Sequence, residues 1–420
     1  MKNPQRRGTM KTRRLLATAA VATLALTACS SKSTDSSGEG GAAAPGVTDD
    51  TIALGVLTDQ SGPFIQLGTG TVDGHQIWAD EVNAAGGICG RQIELVVRDH
   101  GYQADAGVLA YQELLPEVLG FMQILGSPVI AALDQQLIDN ETTSVALSWS
   151  SFLLKNPYVV IPGTTYDVEM VNGLSYLLEQ GEIAEGDTVG FVYLEGEYGE
   201  NGLLGAEYFA EQHDITLEAV KVLPTDTDLR NVVTGLRGAD VSAIGLTTTP
   251  SQTLSVATVA AQLGLDVPLV GNNPTFAPAI LTEDTQAALE NYYLVGSATP
   301  YSSEVPKAAE VATAYEELGK SEPANAGIPY GYAIGEIWGQ VLEASCDDLT
   351  RSGIQDALAS STDVTTDELV ADLDLTSPGS PATREVYIAT ADIDAEGGLT
   401  QQGDLFTSPD AESYVAPEEQ

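Results

Sequence analysis

The stretch Leu57–Gly74 reads LTDQSGPFIQLGTGTVDG, after an apolar run at 51–56 and before a helical pattern. A strand, a glycine-rich turn and a helix is the arrangement in which backbone N–H groups cradle phosphate. The spacing argues against that chemistry. Gly68, Gly70 and Gly74 form G-x-G-x-x-x-G, one residue longer than the dinucleotide fingerprint. About ten residues part the strand end from Gly68, whereas the fingerprint follows its strand directly. Glu195 and Glu197 could form an acid pair, but acids at a strand end are usually solvated. There is no Gly-x-Ser-x-Gly elbow, no His-Glu-x-x-His and no Walker sequence. His75, His100 and His213 show no ligand spacing. These residues predict a protein without catalytic residues, metal or cofactor.

Address comes next. Residues 1–28 carry six basic residues and no acid, with an apolar stretch from Leu15 to Leu26. A basic region, a short apolar core and small residues describe an export signal rather than a spanning helix. Leu26-Thr27-Ala28-Cys29 resembles the bacterial lipobox, whose cysteine receives lipid and becomes the mature N-terminus. Met10 offers an alternative start, and Arg13-Arg14 is a weak twin-arginine feature. Residues 29–47 read as a flexible tether, small and polar with nothing to bury. Taking six bases from the chain's 17 leaves 11 against 60 acids, a mature net charge of −49. Such a surface repels nucleic acid and anionic head groups. With Cys29 assigned to lipid, Cys89 and Cys346 remain, and an isolated pair outside the cell more often forms a disulfide than a metal site.

The elements that would position a site are regular. Strands are predicted at 51–57, 92–98, 118–126, 144–148, 188–194, 242–247, 267–271, 292–297 and 385–389. Helical patterns lie near 70–85, 103–115, 129–141, 167–180, 202–213, 251–264, 281–290, 305–319 and 330–345. In the first, Trp78, Val82 and Ala85 share one stripe. This alternation predicts an α/β fold of parallel sheets with helices on both faces, and the length predicts two lobes. Ligands of open parallel sheets sit beyond the C-terminal strand ends. The loops there are Asp59–Gly68, Gly126–Pro128, Ser148–Phe152, Glu195–Gly199, Thr247–Ser251, Gly271–Phe276 and Ala298–Tyr301. They are rich in Ser, Thr, Gly, Asn and Tyr and poor in Arg and Lys.

The segment 57–99 closely resembles the opening of type I periplasmic solute-binding proteins of the branched-chain amino acid class. The matching elements are Ser61-Gly62-Pro63, Gly68, Asn83–Arg91 and Asp99. Further matches are Tyr198-Gly199, "LGLDVPLVGNN" at 263–273 and the helix start at Tyr330. The resemblance implies two Rossmann-like lobes joined by a three-strand hinge, closing over a ligand. It implies lobe 1 at 48–165 and 297–375, lobe 2 at 166–296 and 376–412, and a disordered tail at 413–420. It further implies a monomeric, extracytoplasmic, lipid-anchored receptor that hands a small solute (amino acid, amide or small carboxylate) to ABC permease subunits. A sensor of the same fold is the alternative.

Carried over by position, the resemblance puts Leu67 over the ligand side chain, Tyr198 in the wall from lobe 2, and Tyr301 after the return strand. Ser148, Ser150 and Ser151, flanking Trp149, would offer hydroxyls and N–H groups to a carboxylate. Ser127 and Thr248 complete the loop residues expected to bind ligand. Two departures stand out. The stretch after Gly126, Ser-Pro-Val-Ile-Ala, lacks the further serines normally found there. The acid that balances an ammonium falls near Asn273 and is absent, leaving Glu195 or Glu197 to substitute. The resemblance also pairs Cys89 with Cys346 on the side of lobe 1 away from the cleft.

Overall fold

Short runs dense in Val, Ile and Leu can bury both strand faces beneath helices, the condition for a parallel sheet. The computed structural model describes residues 44–377 and 379–417 and contains two such sheets. The export signal, Cys29 and most of the tether lie outside the described residues. In the first sheet β1 (Thr51–Thr58), β2 (Gln92–Asp99), β3 (Gly120–Leu125), β4 (Ser144–Leu147) and β5 (Val159–Val160) run parallel in the order β2-β1-β3-β4-β5. Helices α1 (Ile65–Ala84), α2 (Ala104–Leu114) and α3 (Ser127–Asp139) connect them.

The chain then crosses into α4 (Tyr166–Gln180) and the second sheet. Strands β6 (Thr188–Leu194), β7 (Thr216–Val222), β8 (Ala243–Thr247), β9 (Leu269–Asn272) and β10 (Tyr292–Gly296) are parallel, with α5 (Glu197–Gln212), α6 (Arg230–Gly238) and α7 (Pro250–Leu263) between them. It returns to the first lobe as α8 (Pro306–Glu317), α9 (Gly327–Ala344) and α10 (Arg351–Leu358), with α9 packed along α1. Finally β11 (Val386–Ala391) and β12 (Leu399–Phe406) add antiparallel to the second sheet, followed by α11 (Pro409–Ser413). The three crossings are tied together. Thr164 donates its N–H to Ser297 Oγ at 3.0 Å and its hydroxyl to Glu385 O at 2.7 Å.

Several boundaries differ from expectation. The first helix starts at Ile65, so Gly68, Gly70 and Gly74 lie within it rather than in a loop before it. They permit close backbone approach: a Cβ on Gly68 would sit 2.0 Å from Asp59 O, and one on Gly74 2.1 Å from Ile328 O of α9. The helix expected at 281–290 is absent, replaced by 3₁₀ turns at Pro278–Ile280 and Gln286–Ala288. Thr285 Oγ1 accepts from Thr282 N at 2.8 Å and donates to Ile280 O, side-chain bonds that compete with helix formation. The tail reading at 413–420 also fails in part. Tyr414 and Ala416 are buried against Val168 and Val171 of α4, and Tyr414 donates to Asp167 Oδ2 at 3.0 Å. Chain ahead of residue 48 already packs on the first sheet. Gly46 accepts from Ala53 N at 2.8 Å and lies so close to Leu119 N that only glycine, at φ +76°, fits.

Cys89, just ahead of β2, and Cys346, just past α9, are joined by a disulfide with Cα atoms 5.3 Å apart. Both stand at the N-terminal end of the strands of the first sheet, away from the loops that carry the cleft.

Candidate ligand-binding site

The cleft lies where the strands of both sheets end, as open parallel sheets require. Its first wall is built around Asp59, a buried carboxylate just past β1. Asp59 accepts N–H bonds from Ser61, Gly62 and Phe64 and so curls Leu57–Gly74 into the start of α1. This turn aims Phe64 and Leu67 into the cleft. Tyr102 follows β2, and Leu125, Gly126 and Ser127 end β3 and open α3. Leu147 and Trp149 end β4, and Tyr330 comes from α9. The second lobe contributes Tyr166, Tyr198 and, past β9, Asn273 and Pro274. Together these residues surround an inner cavity of about 30 Å³.

The aromatic rings pack on one another, which holds them in place. Tyr166 and Tyr198 meet edge-on at 4.7 Å, Phe64 and Tyr102 are 4.8 Å apart, and Phe64 reaches Tyr198 across the lobes at 6.3 Å. Trp149 donates its indole N–H to Tyr330 OH at 2.9 Å, and Tyr198 donates to Thr248 O at 3.3 Å. Burial raises the hydroxyl pKa of Tyr166, Tyr198 and Tyr330 well above the ordinary phenol, so all three stay neutral donors.

A second cavity of about 200 Å³ adjoins the first, sharing Phe64, Leu67, Asn273, Pro274 and Tyr330. Pro63 and Ile65 of the first lobe face Phe276, Ala277 and Ile280 of the second across it. Among the described residues, no charged one lines either cavity.

Of the residues expected from the sequence, Leu67, Ser127, Trp149, Tyr198 and Asn273 line the inner cavity. Ser148 lies behind Ser127, their hydroxyls 2.6 Å apart. Ser150 is buried but lines neither cavity. Ser151 bridges the lobes instead: Asn201 Nδ2 donates to its Oγ at 2.7 Å, and that hydroxyl donates to Asp167 Oδ2 at 2.6 Å. Thr248 contributes its carbonyl to Tyr198 and its hydroxyl to Thr253, not to the cavity. Glu195 lines neither cavity. It is exposed and 3.6 Å from Lys221 on β7. Tyr301 does not line the cleft either, because it packs edge-on against Tyr315 and donates to Ala312 O at 3.3 Å.

The acid absent at Asn273 has a counterpart that the sequence did not suggest. Glu169 of α4 is fully buried behind Asn273. Its Oε2 accepts from Asn272 Nδ2 at 2.9 Å and Asn273 N at 3.3 Å, while its Oε1 has no partner. Burial pushes the Glu169 carboxyl well above the ordinary carboxylate range, against the pull of those two bonds. Burial thus disfavours its charged form, and the carboxyl holds the cavity wall through Asn272 and Asn273. Glu197, the other acid considered, is half-buried and pushed up to about 7, chiefly by burial. Phe64, Tyr102, Tyr166 and Tyr330 were also missed. Their signal was position alone: aromatic residues directly after strands or at helix starts.

Two α/β lobes, three linked crossings and a cleft closed by loops from both lobes form a receptor shape. A family model for periplasmic binding protein matches residues 51–398. The chain belongs to the periplasmic binding protein family. It is a solute-binding protein, and that family is non-enzymatic and extracytoplasmic. Among solved structures, the fatty acid ABC transporter substrate-binding protein from Thermomonospora curvata is 36% identical, with 89% of this chain and 97% of that one covered and a TM-score of 0.86. A branched-chain amino acid ABC transporter protein from Thermus thermophilus with bound valine shares the fold at 16% identity, TM-score 0.75, covering 87% and 99%. The substrate-binding protein of a branched-chain amino acid transporter from Streptococcus pneumoniae, in complex with isoleucine, does so at 22% identity, TM-score 0.70, covering 84% and 99%. No curated protein matches this periplasmic binding protein.

Proposed function

We propose that this periplasmic binding protein is a receptor for a carboxylic acid with an apolar chain, of the fatty acid class, which it passes to an ABC importer. The observation that carries this reading is the lining: mostly aromatic and aliphatic walls, with the amides and hydroxyls of Gln66, Ser127, Ser251, Asn273 and Asn325 but, among the described residues, no charged one. An α-amino acid would bring an ammonium into that space with no carboxylate to meet it, which costs several kcal/mol. Glu169 does not meet it, because it is fully buried behind the wall, lines neither cavity and has its charged form disfavoured by burial. A carboxyl group needs acceptor-friendly surroundings, and the first turns of α1, α3 and α5 border the inner cavity with the Ser127 and tyrosine hydroxyls. The fatty acid protein of Thermomonospora curvata, at 36% identity, supports the same class. The export signal and lipobox support retention outside the cell by lipid on Cys29.

Calorimetric titration of the purified protein with octanoic and dodecanoic acids, and with leucine and valine, tests the reading. The acids bind and raise the unfolding temperature by mass action, and the amino acids do neither. Binding of leucine or valine as tightly as either fatty acid would overturn it.

A further inference from the structure

Closure of the cleft sets α5 of the second lobe against α3 and the 3₁₀ turn Ser151–Leu153 of the first. Direct bonds cross this seam. Asn201 Nδ2 donates to Ser151 Oγ, and at the cleft mouth Ala279 N–H donates to Gln66 Oε1 at 3.1 Å. Glu197, the first residue of α5, is half-buried in the same seam and lines neither cavity. From the first lobe it is faced by the Ser150 hydroxyl, buried and otherwise without a partner, by the Asp134 carboxyl of α3 and by Lys155. From its own lobe it senses Glu200, one turn on, while the Tyr166 hydroxyl of α4 and the Tyr102 hydroxyl of the first lobe sense it in turn. Two further acids and one base therefore surround a carboxyl that closure takes out of water.

Loss of water disfavours the charged form of a carboxyl, and a like charge brought up from the other lobe does so again. Burial pushes Glu197 up to about 7, with the Ser150 hydroxyl opposing the rise and Asp134 adding to it. When the lobes part, Ser150, Asp134 and Lys155 leave with the first lobe. Glu197 then regains water and returns toward the ordinary 4.5.

We propose that Glu197 is a proton-linked latch: closing the lobes takes up a proton at its carboxyl, so the protein grips its ligand more tightly in mildly acidic surroundings than in neutral ones. The sign follows from linkage. Between the open and the closed value the closed state binds more protons, so affinity is full below about pH 4.5 and is lost as pH rises toward 7. Inside that window the loss approaches about tenfold per pH unit. The latch acts on the lobes rather than on the ligand, so it operates whichever small solute fills the cleft.

The test compares the unaltered protein with Glu197→Gln, which imitates the protonated acid, and with Asp134→Asn. The second keeps the acceptor that Asn156 uses and removes only a charge across the seam. Dissociation constants are measured by calorimetry at pH 5, 6, 7 and 8 for octanoic acid, dodecanoic acid, leucine and valine, and each that binds serves as a probe. Circular dichroism without ligand is the fold control. The affinity of Glu197→Gln relative to the unaltered protein should rise at least about tenfold between pH 5 and pH 7 and level off above. Titration of the probe itself is common to both proteins and drops out of that ratio. Asp134→Asn should shrink the pH dependence without abolishing it. A ratio that stays constant with pH would overturn the latch and leave the receptor reading intact. Binding of none of the four refutes the fatty acid reading, and small-angle scattering of the ligand-free proteins then decides the latch. A radius smaller at pH 5 than at pH 8 in the unaltered protein, and alike at both in Glu197→Gln, supports it; any other pattern overturns it. Should Glu197→Gln fail to fold, Asp134→Asn decides alone, and a pH profile identical to that of the unaltered protein overturns the proposal.

Discussion

Replacing Glu169 with Gln should stabilise the protein by an amount that grows with pH. Glu169 is completely buried, and among the described residues the ionisable groups that sense it are Asp167 of the same helix and Tyr166, Tyr198, Tyr292, Tyr330 and Tyr387, none of them a cation. In the folded protein the carboxyl therefore keeps its proton at pH values where the unfolded chain, near the ordinary 4.5, has released it. Within that window the native state binds one more proton than the unfolded state. Stability is greatest below the unfolded value and falls as pH rises toward the folded one, by about 1.4 kcal/mol per pH unit. A glutamine side chain keeps the acceptor for Asn272 and Asn273 and has no proton to lose. Across two pH units inside the window, the gap between variant and parent widens by about 3 kcal/mol. Urea unfolding at pH 5, 6, 7 and 8, extrapolated linearly to water, measures the gap. Other titrating groups, Glu197 and His75 among them, are common to both proteins and drop out of the difference. A gap constant with pH, or one that narrows, would show that Glu169 is charged in the folded state.

Three further outcomes follow from the geometry. Replacing Cys89 and Cys346 by Ala opens a link 257 residues apart in sequence, and loop-closure entropy puts the loss near 5 kcal/mol. Chemical denaturation should show that loss with ligand affinity unchanged, and a parallel loss of affinity would contradict the disulfide's distance from the cleft. Tyr198→Ala removes a ring that Tyr166 and Phe64 pack against and should weaken ligand binding by about 2 kcal/mol, some thirtyfold, while Tyr198→Phe should stay close to the parent. Ser151→Ala cuts the Asn201–Ser151–Asp167 bridge between lobes and should weaken every bound acid by a similar factor of about five. Calorimetry showing loss for one chain length alone would instead make Ser151 a ligand contact.

The alternation of apolar runs and helical stripes was legible because parallel strands buried on both faces leave a strong pattern, as in β3, where every residue is buried. β7 escaped notice for the opposite reason. As an edge strand reading TLEAVKV it is mostly exposed, and only Val222 is buried. The loops that carry the site were legible from strand ends, and Leu67, Trp149, Tyr198 and Asn273 lie where those loops meet. Glu169 was not, since it meets Asn273 across 104 residues and sits on a helix rather than in a loop at a strand end. Tyr301 misled because an aromatic residue after a strand can turn either way. Here it turns toward α8, where its hydroxyl meets Ala312.

The placement of Gly46 has a mechanical consequence. Gly46 is pinned beside Leu119 at the foot of β1 and β3, while the cleft occupies the opposite pole of the same strands. Any pull or tether acting through the segment before Ala44 is thus delivered to the floor of the first lobe. Were the protein held through that segment, the first lobe would be the moored jaw and the second the swinging one. The cleft would then face away from the mooring, and movement of the far jaw would leave the attachment undisturbed.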